Sequence, residues 1–168
     1  MLGLFSKKAM ILGAPAAGQL LDITQVNDPF FASKNLGDGV AVIPQSQTVC
    51  APCDGRLVMV FETRHAFGIR CGEVEVLVHI GIDTVDMDGE GFAVVVAKGE
   101  RIAAGEPLAT VDFGKVAAAG HSVVVVVTVV NAAELTVVTP LIGDGSGDNN
   151  GGDCKTVSAG SPIIDVEQ

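Results

Sequence analysis

An all-β chain, an antiparallel sandwich or flattened barrel with few short helical turns, is the fold class this sequence predicts, on three observations. Valine is abundant and 21 glycines punctuate the chain; β-branched residues suit a pleated surface and glycine suits the tight turns between short strands. Apolar runs are strand-sized: the longest, "SVVVVVTVV" at 122–130, falls far short of the roughly 20 residues that cross a bilayer. No strand–helix–strand alternation appears, which argues against a parallel doubly wound sheet. A length of 168 residues fits one domain spanning 1–168, with a core large enough to stand without disulfides or a structural metal.

The elements follow in order. "MLGLFSKKAM" at 1–10 lacks the apolar core and small-residue cleavage site of a secretory signal. It reads as an N-terminal tail, at under three turns too short for more than weak membrane contact. "APAAGQLLDI" from Ala14 and "APCDGRLVMV" from Ala51 share Ala-Pro-x-x-Gly-x-Leu at an offset of 51 − 14 = 37. Each reads as a turn feeding a strand, with Pro fixing one dihedral and Gly freeing the next. The repetition predicts two similar sheets facing each other. Arg64 to Ile82 reads as a hairpin turning at Gly72. Residues 93–113 hold two short strands around Gly-rich turns, and 121–138 a buried strand, a helical turn at Asn131–Leu135 and another strand. "GDGSGDNNGGDCK" at 143–155 has only turn and linker chemistry and reads as a flexible surface loop, before one last strand.

Charge and cysteines narrow the function. A net charge of −10 opposes binding to a phosphate backbone, so nucleic acid is not an expected partner. With no secretory signal the protein is expected in the cytoplasm, and Cys50, Cys53, Cys71 and Cys154, which do not make a disulfide framework, are expected to stay thiols in that reducing compartment. "CAPC" has metal-ligand or redox spacing but no second pair, and its Pro and Gly belong to the turn. The Ala-Pro-x-x-Gly repeat also suits a lipoyl- or biotinyl-type carrier, but that needs an exposed lysine at a hairpin tip, and the Gly72 turn has none.

The chemistry concentrates in "HAFGIRCGEVEVLVHIGIDTV" at 65–85. In an antiparallel hairpin centred on Gly72 opposed residues sum to 144, and 65 + 79 = 144, so His65 and His79 are expected to face each other. Opposed Cβ atoms lie roughly 4.5–5.5 Å apart, near enough for two rings to touch one small group. A one-residue slip would send one ring to the other face. Three uses remain open at this point: a metal site with Asp83 or His121 as third ligand, local hydrogen bonding on a strand surface, or phosphoryl transfer, in which one neutral imidazole attacks phosphorus and the other stabilises the phosphoryl oxygens. Thr63, at 65 − 63 = 2, is placed on the same strand face as His65. Asp83 is either at the same face as His79 or a turn cap.

Together "FETRHAFGIR", "VLVHIGIDTVDMDGEGF" and "GVAVIPQSQTVCAPCDGRL" resemble the glucose-family enzyme IIA domain of the bacterial phosphoenolpyruvate-dependent sugar phosphotransferase system, from about Leu12 to Val166. The resemblance implies an antiparallel β-sandwich that takes a phosphoryl group from the phosphohistidine of the small carrier HPr and passes it to a cysteine of the IIB domain of a sugar permease, with no cofactor and no metal. It implies that His79 is the phosphoryl acceptor, His65 its stabilising partner, Thr63 the residue that orients His65, and Asp83 an acidic group at the site edge. An apolar docking rim is expected from Val40, Phe61, Leu77 and Val85. The alternative is a regulatory binding module that controls permeases or metabolic enzymes according to its phosphorylation state. The Met1 start and the lack of adjoining membrane or IIB-type segments suggest a free-standing subunit.

Overall fold

The computed structural model describes residues 8–135, 137–142 and 155–168. Short strands dominate, as valine and glycine usage predicts: β1 (Ala9–Gly13), β2 (Gly18–Asp22), β3 (Asp38–Pro44), β4 (Thr48–Cys50), β5 (Gly55–Val60), β6 (Ala66–Cys71), β7 (Val74–Ile80), β8 (Phe92–Val94), β9 (Arg101–Ile102), β10 (Pro107–Val111), β11 (Val125–Val129), β12 (Val137–Pro140), β13 (Thr156–Val157) and β14 (Pro162–Glu167). Two short helices, α1 (Pro29–Ala32) and α2 (Phe113–Ala118), complete the set among the described residues. Each starts on an aspartate cap, Asp28 with proline in the first turn and Asp112 accepting from the Lys115 amide. The expected turn near Asn131 is a 3₁₀ turn at Ala132–Glu134. Of the expected N-terminal tail, residues 1–7 lie outside the described residues and Ala9 and Met10 already belong to β1; of the 143–155 loop, only Lys155 is described.

The strands form an eight-stranded sheet in the order β13-β2-β3-β11-β7-β6-β5-β9, and two three-stranded sheets, β1-β14-β12 and β4-β10-β8. All paired strands are antiparallel. The inner face of the large sheet carries the main core, including Val40, Val42, Leu57, Phe67, Val76, Val78, Val125 and Val127. A second apolar cluster of Ile23, Val26, Phe31, Ala41, Ile82, Val124 and Val126 covers part of the outer face. Strand β11 lies between the two clusters, which is why all its residues are buried and its sequence shows no alternation.

The repeated Ala-Pro-x-x-Gly segments do not head two facing sheets. Strands β2 and β5, which they feed, lie on opposite flanks of the same sheet. The two turns meet through reciprocal bonds: Gly13 N donates to Pro52 O at 2.8 Å and Cys50 N to Pro15 O at 2.7 Å. Since 13 + 37 = 50 and 15 + 37 = 52, this is one bond made twice. The relation continues outward: Leu20 N and Leu57 N donate to Lys155 O and Glu100 O, and Gly160 N and Gly105 N to Ala14 O and Ala51 O. The large sheet is therefore two equivalent halves, β13-β2-β3-β11 and β7-β6-β5-β9, joined along the antiparallel β11–β7 pair.

Cys53 is disulfide-bonded to Cys71, correcting the expectation of four thiols; Cys50 is free. The pair is legible only in three dimensions: Gly55 on β5 packs so tightly on β6 that a Cβ there would lie 2.5 Å from Arg70 O and 3.0 Å from Cys71 Sγ. That approach brings the residue two positions before Gly55 against the end of β6.

Candidate functional site: a pair of imidazoles

Strand β7, "VEVLVHI", alternates strictly: Val74, Val76, Val78 and Ile80 point inward, and Glu75, Leu77 and His79 outward. His79 is thereby placed on the outer face, opposite Ala66 on β6 and Val126 on β11. Both neighbours are fully buried, and neither carries a polar side chain to compete for the ring.

The hairpin forms, but one residue out of the predicted register. His79 pairs with Ala66, so opposed residues sum to 66 + 79 = 145, with Gly72 and Glu73 as a two-residue turn. By strand parity alone this slip would separate the rings. They meet nevertheless, with centroids 4.9 Å apart and planes at 79°, because His65 precedes the strand. Arg64 adopts a left-handed conformation, φ 61°, and its amide closes a turn onto Phe61 O at 2.8 Å. That turn breaks the alternation and brings the His65 ring to the face of His79, while the His65 carbonyl still accepts from Ile80 N at 2.7 Å.

Each ring is fixed by one nitrogen. Nδ1 of His79 lies 2.8 Å from Gly81 O; a carbonyl can only accept, so Nδ1 carries the proton and Nε2 keeps a free lone pair. Glycine is required at 81. Its φ is 72°, and a Cβ would overlap Thr84 Cγ2 and lie 2.9 Å from Ser122 O. Thr84 Oγ1 donates to Ile80 O at 2.6 Å and ties the same turn down. Nδ1 of His65 is 2.8 Å from Thr63 Oγ1. Thr63 achieves this from the turn, and not from a shared strand face.

Both imidazoles lie in a cavity of about 200 Å³. Phe31 of α1 sets its ring edge against His79 at 5.1 Å, and Phe61 lies 5.3 Å from His65. Burial, then the neighbouring His65, lowers the His79 pKa to about 4, against the opposing pull of the Gly81 carbonyl and of Asp28 and Asp83. Burial also holds His65 below the ordinary histidine range. Neutral rings are thus the resting state, and a neutral Nε2 is a nucleophile that needs no base.

Asp83 lines the cavity. It arrives there on a left-handed turn, φ 59°, and makes no side-chain cap bond. Among the expected rim residues, Phe61 (40%) and Val85 (49%) are exposed. Leu77 is half-buried against the second cluster. Val40 is fully buried; it points into the main core, so it cannot belong to a rim. Asp28, Phe30, Phe31 and Leu36 also line the cavity, and sequence reasoning does not single them out. The available signal is "NDPFF", an aspartate cap with proline and two aromatics. His121 lies in a different concavity, with Asp86 and Glu90. Among the described residues no three His, Cys, Asp or Glu side chains are grouped to hold a metal ion.

Fold and site together define an antiparallel β protein whose outer face presents two apposed neutral imidazoles, one with a free Nε2. Residues 10–135 match the family described as phosphoenolpyruvate-dependent sugar phosphotransferase system, EIIA 1, and the chain belongs to that family. A glucose-specific EIIA component of Halalkalibacterium halodurans is 42% identical over 133 residues, which cover 79% of this chain and 77% of that one. The solved structure of glucose permease IIA from Mycoplasma capricolum superposes with a TM-score of 0.79 at 33% identity, covering 96% of this chain and 97% of that one. Larger relatives contain a similar stretch: the chain is 34% identical over 128 residues to a glucoside-specific EIICBA component of Staphylococcus carnosus and spans 18% of its length. It spans 16% of a glucose-specific EIICBA component of Streptococcus pneumoniae.

Proposed function

We propose that this chain is a phosphocarrier that accepts a phosphoryl group on His79 Nε2 from the phosphohistidine of HPr and passes it to a cysteine of a sugar permease's IIB domain, working in the cytoplasm. The observation that carries the reading is the His79 Nδ1–Gly81 carbonyl bond, which leaves Nε2 as the free nucleophile in a cavity shared with a second imidazole. In the first step the Nε2 lone pair attacks phosphorus, a new N–P bond forms, and the donor's N–P bond breaks, its electron pair returning to the donor ring. In the second, a cysteine thiolate of the acceptor attacks the same phosphorus, an S–P bond forms, and the electron pair of the His79 N–P bond returns to Nε2.

His65 serves both steps. When the Thr63 hydroxyl, 2.8 Å from Nδ1, donates to the ring, the His65 Nε2–H is left as a donor to phosphoryl oxygens as charge moves in the transition state. Asp28 and Asp83 bring negative charge to the same cavity, disfavouring long residence of a dianionic phosphoryl group and favouring its onward transfer. Exposed Phe30, Phe61 and Val85 form an apolar rim on which donor and acceptor dock. The same rim supports the second reading, a regulatory module: a partner seated there would cover the cavity and would be displaced when phosphorylation places charge beneath it.

The test is phosphorylation by phosphoenolpyruvate, enzyme I and HPr, followed by a IIB domain. Wild type is expected to take up acid-labile, base-stable phosphate, His79→Ala none, and His65→Gln to accept phosphate but transfer it poorly. Wild type left unlabelled by active HPr overturns the carrier reading in favour of the regulatory one.

A further inference from the structure

The chain's net charge is −10, yet three of its four arginines form one row. Arg101 on β9 pairs with Arg56 on β5, and Arg56 with Arg70 on β6. All three side chains are exposed, while the flanking Leu57, Ile69 and Ile102 are buried, so the row lies on the outer face. That is the face of His79, because Arg70 pairs with Glu75, four residues before His79 on β7. At roughly 4.8 Å between strands the row spans about 10 Å, and it sits about 13 Å along the strands from the imidazoles.

Like charges opposed across an antiparallel pair destabilise it, so the facing of Arg56 and Arg101 works against the fold. Arg56 donates one Nη to Gly99 O at 2.7 Å and Arg70 meets Glu75 at 3.2 Å, but a guanidinium has five donors. The Arg101 guanidinium has no hydrogen-bond or ion-pair partner among the described residues. Arg56 and Arg101 line a concavity of about 360 Å³ with Asp54, whose Oδ1 is occupied by the Ala104 amide at 2.8 Å.

The other half of the sheet supplies an internal control. The repeat relates Arg56 to 56 − 37 = 19. It relates Arg101 to 101 + 55 = 156, by the offset that links Glu100 to Lys155 and Gly105 to Gly160 in the equivalent bonds. Gln19 and Thr156 do pair there. The same frame is built with neutral side chains, so the arginines are not a requirement of the architecture.

Beside the row, Met59 is 40% exposed and lies over Gly68, where an added Cβ would be 3.1 Å from Met59 Cβ. Phe61 follows, in contact with His65. A continuous outward strip therefore runs from a basic end, across an apolar middle, to the acidic and apolar rim of the imidazole cavity.

We propose that Arg56, Arg70 and Arg101 form a docking surface for a partner protein that presents an acidic segment. The row is long and exposed, which suits a polypeptide carrying several carboxylates, and arginine forks engage carboxylates in pairs of parallel bonds. Relief of the repulsion between Arg56 and Arg101 adds to the binding, and the apolar strip beside the row gives the segment's flanks a surface to cover.

The test uses the full chain and a fluorescein-labelled deca-glutamate peptide at low ionic strength. Wild type is expected to bind it, with affinity falling about tenfold or more in R56Q/R101Q and falling steeply with salt. The control variant Q19A/T156A, at the equivalent positions, is expected to bind as wild type does, and phosphate uptake from HPr to be unchanged in all three proteins. Thermal midpoints check that each variant is folded; R101Q alone is expected to be at least as stable as wild type, since it removes the opposed charge. Failure of wild type to bind the peptide, equal binding by R56Q/R101Q, full displacement by inorganic pyrophosphate at matched charge, or capture by anionic phosphatidylglycerol vesicles with no peptide binding overturns the proposal.

Discussion

The two halves of the large sheet share a frame and differ in what their connections carry. In the first, β2 and β3 are joined by residues 23–37, which hold helix α1 and contribute Ile23, Val26 and Phe31 to the second apolar cluster. In the second, β5 and β6 are joined by residues 61–65 alone, which hold Thr63 and His65. Both connections end beside the same side chain: Phe31 reaches His79 from one and His65 reaches it from the other. The long connection supplies apolar cover and the acid of Asp28; the short one supplies the second imidazole and its hydroxyl partner. A duplicated scaffold thus builds one site from two unlike loops, consistent with function residing in loops held by a rigid frame.

Either connection can be disabled separately. The largest effect is expected from the first half's loop on stability: Phe31→Ala empties a buried aromatic position and should cost about 3 kcal/mol or more, read by denaturant unfolding. It should also raise the His79 pKa, followed by NMR titration, because water reaches the ring. A loss of transfer without a change in that pKa would show that the long connection acts on partners and not on the imidazole.

Acid is expected to act next. The folded pKa of His79 is about 4, below its ordinary 6.5, so the unfolded chain takes up the proton first. The stability tied to the neutral ring is complete above about pH 6.5 and is lost as pH falls from there toward 4, by roughly 3 kcal/mol at most. His65, shifted in the same direction by burial, adds to the same slope. In His79→Gln the slope between those pH values should flatten; a slope unchanged from wild type would mean that other groups drive acid unfolding.

Gly81→Ala comes third. The new Cβ meets Thr84 and the Ser122 carbonyl in a left-handed conformation, for a cost of about 1–3 kcal/mol. It moves the carbonyl that orients His79, so phosphate uptake should drop together with stability. The smallest effect is expected from the short connection: Thr63→Ala should cost about 1 kcal/mol while slowing transfer to IIB more than uptake from HPr. Equal slowing of both steps would remove the distinction drawn between the two rings.

Much of this is readable from one dimension, and the exceptions have local causes. The hairpin follows from its apolar, β-branched arms and a glycine turn, and the buried β11 from an unbroken apolar run. The predicted register is one residue off because the 144 sum places Gly72 at the centre, whereas a two-residue turn needs Gly72 and Glu73. The direction of Val40 is not legible because β3 is apolar on both faces, with Val40 in the main core and Ala41 in the second cluster, so alternation carries no information there. The role of Phe31 is hidden because its contact with His79 spans 79 − 31 = 48 residues and depends on sheet order.

By itself the sequence determined the antiparallel all-β class, the strands and turns, the presence of two histidines on one hairpin, and a family resemblance that its relatives bear out. These depend on side-chain period, turn chemistry and motif spacing, all carried by neighbours in the chain. Tertiary structure decided that the repeated segments flank one sheet, that a left-handed Arg64 turns His65 toward His79, that Gly81 selects the free nitrogen, and that three arginines fall into a row. Each of those is set by register and by packing between distant segments, and burial among them, not residue type, is what keeps the imidazoles neutral.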